Sequence, residues 1–169
     1  MDIYQIPAAP ASMDEHLPVF VYGTLMAGFH NYDYYLKGQT EKETPATVSG
    51  ELFAVTGGSF PCLKLGNEII AGMVIDILPC HFVDTLQSLD RLEGYCSSSD
   101  SGMYLRRKVS VITVTGKKTP AWIYYWNSDT VGEKIVGGSF ARYLGKELTP
   151  NLILSNMDCR EKLPKALYI

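Results

Sequence analysis

Two stretches decide the fold: Val19-Phe20-Val21-Tyr22-Gly23-Thr24-Leu25 and Leu89-Asp90-Arg91-Leu92-Glu93-Gly94-Tyr95. The first begins as a β-branched and aromatic run after a proline, which predicts a short buried strand. Gly23 then predicts a tight turn, where the backbone can bend and a ligand can approach closely. Successive N–H groups in such a turn can form an anion-binding nest.

The second stretch predicts the end of an amphipathic helix. Phe82, Leu86, Leu89 and Glu93 follow one another at intervals of four, three and four residues, which places them on one helical face. A carboxylate at the C-terminal end of an apolar face is partly desolvated and lies at the negative end of the helix dipole, and both effects raise its pKa. Such an acid suits a general base. The alternative is that the helix frays at Leu92 and Glu93 points to water, as glutamates usually do.

Composition indicates one ordinary globular domain. The chain has 169 residues, 46% apolar and 20% charged, with a net charge of −3. Without a basic run, we expect no nucleic-acid partner, and without a long apolar run, we expect no membrane span. The first residues do not resemble a secretory signal, and the four cysteines lack metal-ligand spacing. We therefore expect reduced thiols, a cytoplasmic location and no metal site.

The domain is predicted to cover residues 18–149. Residues 1–17, rich in proline and alanine, are expected to form an N-terminal arm, and residues 150–169 a tail that packs on the domain. A homodimer is compatible with the sequence, which leaves the oligomeric state open.

Strands outnumber helices in the predicted element order. Strands are expected at residues 19–22, 44–56, 62–65, 69–78, 103–115 and 119–126, with a bulge or bend at Gly50. The strand at 69–78 is expected to be buried on both faces. Short helices are expected near 29–36 and 140–148, beside the helix that ends at Glu93. This pattern predicts an α+β fold whose mixed sheet curls into a small barrel with flanking helices.

Four segments carry a resemblance to a known family. In chain order they are Val21-Tyr22-Gly23-Thr24-Leu25, Gly72-x-Val74-x-Asp76, Leu89-Asp90-x-x-Glu93-Gly94 and Gly102-Met103-Tyr104-x-Arg106-x-x-Val109-x-Val111. In order, spacing and context they resemble the gamma-glutamylcyclotransferase-like family. The resemblance spans roughly residues 19–126, with a weaker echo at Gly137-Gly138-Ser139.

The resemblance implies both a reaction and its residues. The reaction is an acyl transfer with cyclisation, in which the alpha-amine of a gamma-glutamyl compound attacks its own gamma-carbonyl and 5-oxoproline is released. Glu93 would be the general acid and base, and the substrate-binding residues would be Tyr22, Gly23, Thr24, Leu25, Tyr104 and Tyr125. Because the substrate supplies its own nucleophile, we expect no cofactor and no metal.

The leaving group and the rival functions stay open at this stage. We expect the leaving-group side of the pocket to be built from residues 57–61, residues 97–102 and the C-terminal tail, and the tyrosines near Tyr32 to help close it. One rival is a non-catalytic module that binds a gamma-glutamyl or amino-acid ligand on the same fold. Another is an interaction protein that presents the aromatic face of Tyr124 and Trp126 to a partner.

Overall fold

The computed structural model of the protein describes residues 15–55 and 59–146. The helices are α1 (His30–Tyr35), α2 (Phe82–Leu92) and α3 (Phe140–Tyr143). The strands are β1 (Val19–Val21), β2 (Thr40–Ala54), β3 (Pro61–Ile77), β4 (Tyr95–Cys96), β5 (Ser101–Gly102), β6 (Tyr104–Thr113) and β7 (Lys118–Trp126).

Five of the strands close into a barrel in the order β1-β3-β2-β6-β7. Four of the contacts are antiparallel, and the barrel closes where β1 runs parallel to β7, with Val19 opposite Trp122. Strands β4 and β5 form a separate two-stranded sheet. The predicted α+β fold with a mixed sheet curled into a small barrel is confirmed.

The long strand pair β2–β3 contains a register shift at Gly50. The register moves from Glu68 opposite Gly50 to Lys64 opposite Glu51, which places the predicted irregularity at Gly50. The prediction of separate strands at 62–65 and 69–78 is wrong, because both belong to the continuous strand β3. Burial on both faces is also wrong for this strand, since the side chain of Ile69 is 71% exposed.

The last helix is shorter than predicted. It begins after Ser139, whose hydroxyl accepts a hydrogen bond from the Arg142 N–H, and it ends at Tyr143. The expected end at Leu148, the tail from residue 150 and residues 1–14 of the N-terminal arm lie outside the described residues.

Helix α2 packs its apolar face on the barrel. Phe82, Leu86 and Leu89 are buried, as their spacing predicts. The chain that leads into β1 packs nearby, since the ring of His16 stacks on that of Phe82 with 4.2 Å between centroids. The packed face fixes where the C-terminal end of α2 lies, and with it the position of Glu93. Among the described residues, no helix has the length and apolar character needed to span a bilayer.

Candidate active site

Glu93 lies where α2 ends, as predicted. Its N–H donates to the Leu89 carbonyl at 2.9 Å, and Gly94 follows with a φ of 63°, a conformation that glycine adopts at helix ends without steric cost. The Tyr104 N–H donates to the Glu93 carbonyl at 3.3 Å, and the Met103 N–H to the Gly94 carbonyl at 3.1 Å. The end of the helix is therefore tied to the start of β6.

A cavity of about 260 Å³ separates this helix end from the turn after β1. Its volume suits a small ligand rather than a drug-sized one. The described residues that line it are Phe20, Val21, Tyr22, Gly23, Thr24, Leu25, Asn31, Ser59, Phe60, Pro61, Leu92, Glu93, Met103, Tyr104 and Tyr124. The structure thus brings together six of the seven residues that the sequence suggested.

The carboxyl group of Glu93 is held in an unusual electrostatic state. Desolvation and, second, the negative charge of Asp90 raise its pKa from the ordinary 4.5 to about 7. Among the described residues, no side chain or backbone group is hydrogen-bonded to this carboxyl group. The acid is therefore poised to gain or lose a proton near neutral pH.

The turn opposite Glu93 is shaped by a close approach. A Cβ atom on Gly23 would lie 2.5 Å from the Cγ of Pro61 and 2.8 Å from its Cδ, so the turn has room only for glycine. Within the described part of the chain, the N–H groups of Gly23, Thr24 and Leu25 donate no hydrogen bond, whereas the Met26 N–H donates to the Gly23 carbonyl. Three neighbouring donors at the cavity wall are thus available to a ligand oxygen.

Three buried tyrosines complete the polar lining. Their hydroxyl groups donate within the protein: Tyr22 to the Tyr124 carbonyl at 2.6 Å, Tyr104 to the Pro61 carbonyl at 2.9 Å, and Tyr124 to Asp90 at 2.7 Å. Burial raises the pKa of all three, so they stay neutral at physiological pH. Because their protons are committed, their oxygens are available as hydrogen-bond acceptors.

Some expectations about the pocket are corrected. Tyr125 does not line the cavity, because side chains alternate along β7 and its neighbour Tyr124 faces the cavity instead. Tyr32 also lies off the cavity and donates its hydroxyl to Glu43, while Asn31 lines the wall.

The expected leaving-group loops are only partly present at the cavity. Ser59, Phe60 and Pro61 line it, but no residue of 97–102 does. Residues 97–100 form the turn between β4 and β5, and the Asp100 carboxylate in this turn pairs with Arg107 of β6 at 2.8 Å. Residues 57–58 and the C-terminal tail lie outside the described residues.

Sequence reasoning missed the charged groups behind Glu93. Asp90 and Arg106 are both buried, with the Arg106 Nη1 at 2.7 Å from Asp90 Oδ2. The available signal was that both residues fall within the quoted motif segments, and that Arg106 is two residues after Tyr104 on one face of a strand. The described residues contain no cluster of three or more His, Cys, Asp or Glu side chains placed to hold a metal ion.

The fold and cavity define a class: a small mixed-barrel protein with one carboxyl group at a helix end facing a glycine turn. Residues 19–142 match the family model described as gamma-glutamyl cyclotransferase, AIG2-like. The chain belongs to this family. The match includes every residue described above as lining the cavity.

Individual relatives agree with this assignment. A Methanocaldococcus jannaschii protein, MJ1514, named provisionally as a gamma-glutamylcyclotransferase, is 33% identical over 129 residues, which cover 75% of this chain and 98% of the relative. The gamma-L-glutamyl-butirosin B gamma-glutamyl cyclotransferase of Niallia circulans is 32% identical over 111 residues, or 66% of this chain and 67% of the relative.

Solved structures agree in fold. An AIG2-like protein from mouse has a TM-score of 0.53 at 19% identity, covering 68% of this chain and 79% of that one. The protein PH0828 from Pyrococcus horikoshii has a TM-score of 0.51 at 22% identity, covering 77% of this chain and 94% of that one.

Proposed function

We propose that the protein is a gamma-glutamyl cyclotransferase that releases 5-oxoproline and an amine, with Glu93 as the general acid and base. The observation that carries the proposal is the carboxyl group of Glu93, which has a pKa of about 7 and lies across a small cavity from the Gly23 turn. The family and the names of the two relatives support the type of reaction.

The reaction begins with removal of a proton. The Glu93 carboxylate takes one proton from the alpha-ammonium group of the substrate, and the neutral amine attacks the gamma-carbonyl carbon in the same molecule. A well-oriented intramolecular attack has an effective molarity of about 10⁵ to 10⁸ M. Positioning by the cavity therefore replaces the nucleophile that other acyl transferases supply from a side chain.

The reaction ends with proton return. The ring nitrogen of the tetrahedral adduct loses a second proton, the carbon–nitrogen bond to the leaving group breaks, and the leaving nitrogen takes up both protons. Glu93 carries these protons between the two nitrogens and finishes ionised, as it began. A pKa near neutrality suits both directions of transfer.

The Gly23 turn supplies donors for negative charge. The N–H groups of Gly23, Thr24 and Leu25 either stabilise the oxygen of the tetrahedral adduct or hold the alpha-carboxylate of the substrate. The oxygens of Tyr22, Tyr104 and Tyr124 complement them, because acceptors suit the alpha-ammonium group.

The lining also favours one class of leaving group. Among the described residues at the cavity, Glu93 alone carries a formal charge, and Phe60, Leu92 and Met103 make part of the wall apolar. A carboxylate on the leaving group would find no cation there, and an unpaired charge is costly to desolvate. We therefore expect gamma-glutamyl amines to be better substrates than gamma-glutamyl amino acids.

A matched substrate pair tests the function and this preference together. Gamma-glutamyl-ethylamide and gamma-glutamyl-alanine differ by one carboxylate, and 5-oxoproline release is measured from each. We expect turnover of the ethylamide with kcat/KM at least about tenfold above that of the alanine compound. Thermal stabilisation by these compounds without product would indicate the binding module instead, and absence of both would reject the proposal.

A further inference from the structure

Asp90 is buried in the last turn of α2, within a complete set of partners. The Nη1 of Arg106 lies 3.0 Å and 2.7 Å from its two carboxylate oxygens, and the hydroxyl of Tyr124 donates to Oδ1 at 2.7 Å. The guanidinium of Arg106 lies in turn 5.0 Å from the ring of Trp122 and 5.3 Å from that of Tyr95. Asp90, Arg106 and Tyr124 are each at most 6% exposed.

Stability alone does not account for this pair. Removing two charges from water costs free energy that their attraction often fails to recover, and well-packed apolar residues serve a core equally well. The pair places the Asp90 carboxylate three residues before Glu93, within one turn of the C-terminal end of α2. Hydrogen bonds from Arg106 and Tyr124 join this carboxylate to strands β6 and β7.

We propose that Asp90 is a positioning residue for Glu93: its partners fix the end of α2 so that Glu93 faces the Gly23 turn, and its buried negative charge acts on the Glu93 carboxyl group. This inference rests on the proposed function, in which Glu93 moves protons. Asp90 itself does not touch the substrate, because the described residues that line the cavity do not include it.

The other charged and titratable groups around Glu93 do not provide this effect. Tyr22 after β1, Tyr104 on β6 and Tyr124 on β7 interact with Glu93, and the cations beside Asp90 are Arg91 on α2 and Arg106 on β6. The tyrosines stay neutral because burial raises their pKa, and the two arginines carry the opposite sign.

Asp90 remains to supply the negative charge. Burial raises the pKa of Asp90, whereas the hydrogen bond from Tyr124 and the charge and hydrogen bond of Arg106 act in the opposite direction. After desolvation, the charge of Asp90 is the second cause of the raised pKa of Glu93.

The test is the pH dependence of Asp90→Asn, which keeps the shape and removes the charge. We expect the acid limb of the kcat/KM pH profile to move to lower pH by about one to two pH units. This is the effect of one unit charge at short range in a partly solvated interior. The plateau rate above about pH 8 should fall by about threefold to tenfold, because Glu93 becomes a weaker base. The matched control is Asp84→Asn, an exposed acid on the same helix, for which the limb should stay in place.

A purely structural role for Asp90 predicts lower stability with an unmoved acid limb, and that result in folded protein would overturn the inference. If Asp90→Asn does not fold because Arg106 is left unpaired, the double variant Asp90→Asn/Arg106→Gln removes both charges. The acid limb should again move to lower pH, by less than in Asp90→Asn, because the opposing charge of Arg106 is removed as well.

Carbon-13 NMR of the Glu93 carboxyl group separates this inference from the proposed function. The resonance is assigned by its loss in Glu93→Gln, and its titration is followed in the wild type and in Asp90→Asn. A lower midpoint in Asp90→Asn supports the inference even if neither gamma-glutamyl-ethylamide nor gamma-glutamyl-alanine is turned over. An equal midpoint rejects it even if the protein is an active cyclotransferase.

Discussion

Replacing Glu93 with Gln should stabilise the protein at alkaline pH while removing its proposed base. The carboxyl group has a pKa of about 7 in the folded state, against an ordinary 4.5. Between these values the folded state binds more protons than the unfolded one, so stability falls as pH rises through that window. At about 1.4 kcal/mol for each pKa unit, the charged carboxylate costs the folded state up to roughly 3 kcal/mol above about pH 8.

The amide that Glu93→Gln introduces does not titrate, so the variant escapes this cost. We expect the free energy of unfolding of Glu93→Gln, relative to the wild type, to rise by about 2 kcal/mol between about pH 5 and pH 8.5, allowing for solvent that reaches the open cavity. Urea unfolding at the two pH values measures it. Glu41→Gln, at an exposed position, is the control. A relative stability of Glu93→Gln that does not change with pH would refute the electrostatic argument.

Further predictions concern the residues around Glu93. In the wild type, kcat/KM should fall about tenfold per pH unit below about pH 7, because protonated Glu93 cannot act as a base; a flat pH–rate profile down to about pH 5 would count against this. In Gly23→Ala the new Cβ overlaps Pro61 and displaces the N–H donors of the turn. The thermal unfolding midpoint should fall by an amount corresponding to about 1 to 3 kcal/mol, and kcat/KM should fall as well. Kinetics equal to those of the wild type would contradict this prediction. Tyr104→Phe should lower the free energy of unfolding by about 1 to 3 kcal/mol, because the Pro61 carbonyl loses its buried hydrogen-bond donor. It should lower kcat by less than about tenfold. Urea unfolding measures the first effect and initial rates measure the second.

Features of local origin could be predicted from the sequence. The 3.6-residue period of Phe82, Leu86 and Leu89 places Glu93 on the buried face of α2, and Gly94 marks where the helix ends. The strand before Gly23 is similarly encoded by a short apolar run. These signals depend on neighbouring residues, so they identify the two halves of the site separately.

Features that depend on long-range packing could not be predicted. All six residues from Ala121 to Trp126 are buried, so no polar alternation showed that Tyr124 rather than Tyr125 faces the cavity. Asp90 and Arg106 lie 16 positions apart, and charged residues are usually exposed, so their buried pairing leaves no local signal. Residues 66–68 separate the two predicted strands at 62–65 and 69–78, yet they lie within β3 beside the register shift.

The most direct test of the central claim is 5-oxoproline release from gamma-glutamyl-ethylamide by Glu93→Gln, compared with the wild type. We predict a folded protein whose turnover is lower by about 10² to 10⁴. Turnover within about tenfold of the wild type would remove Glu93 from the mechanism and contradict the account.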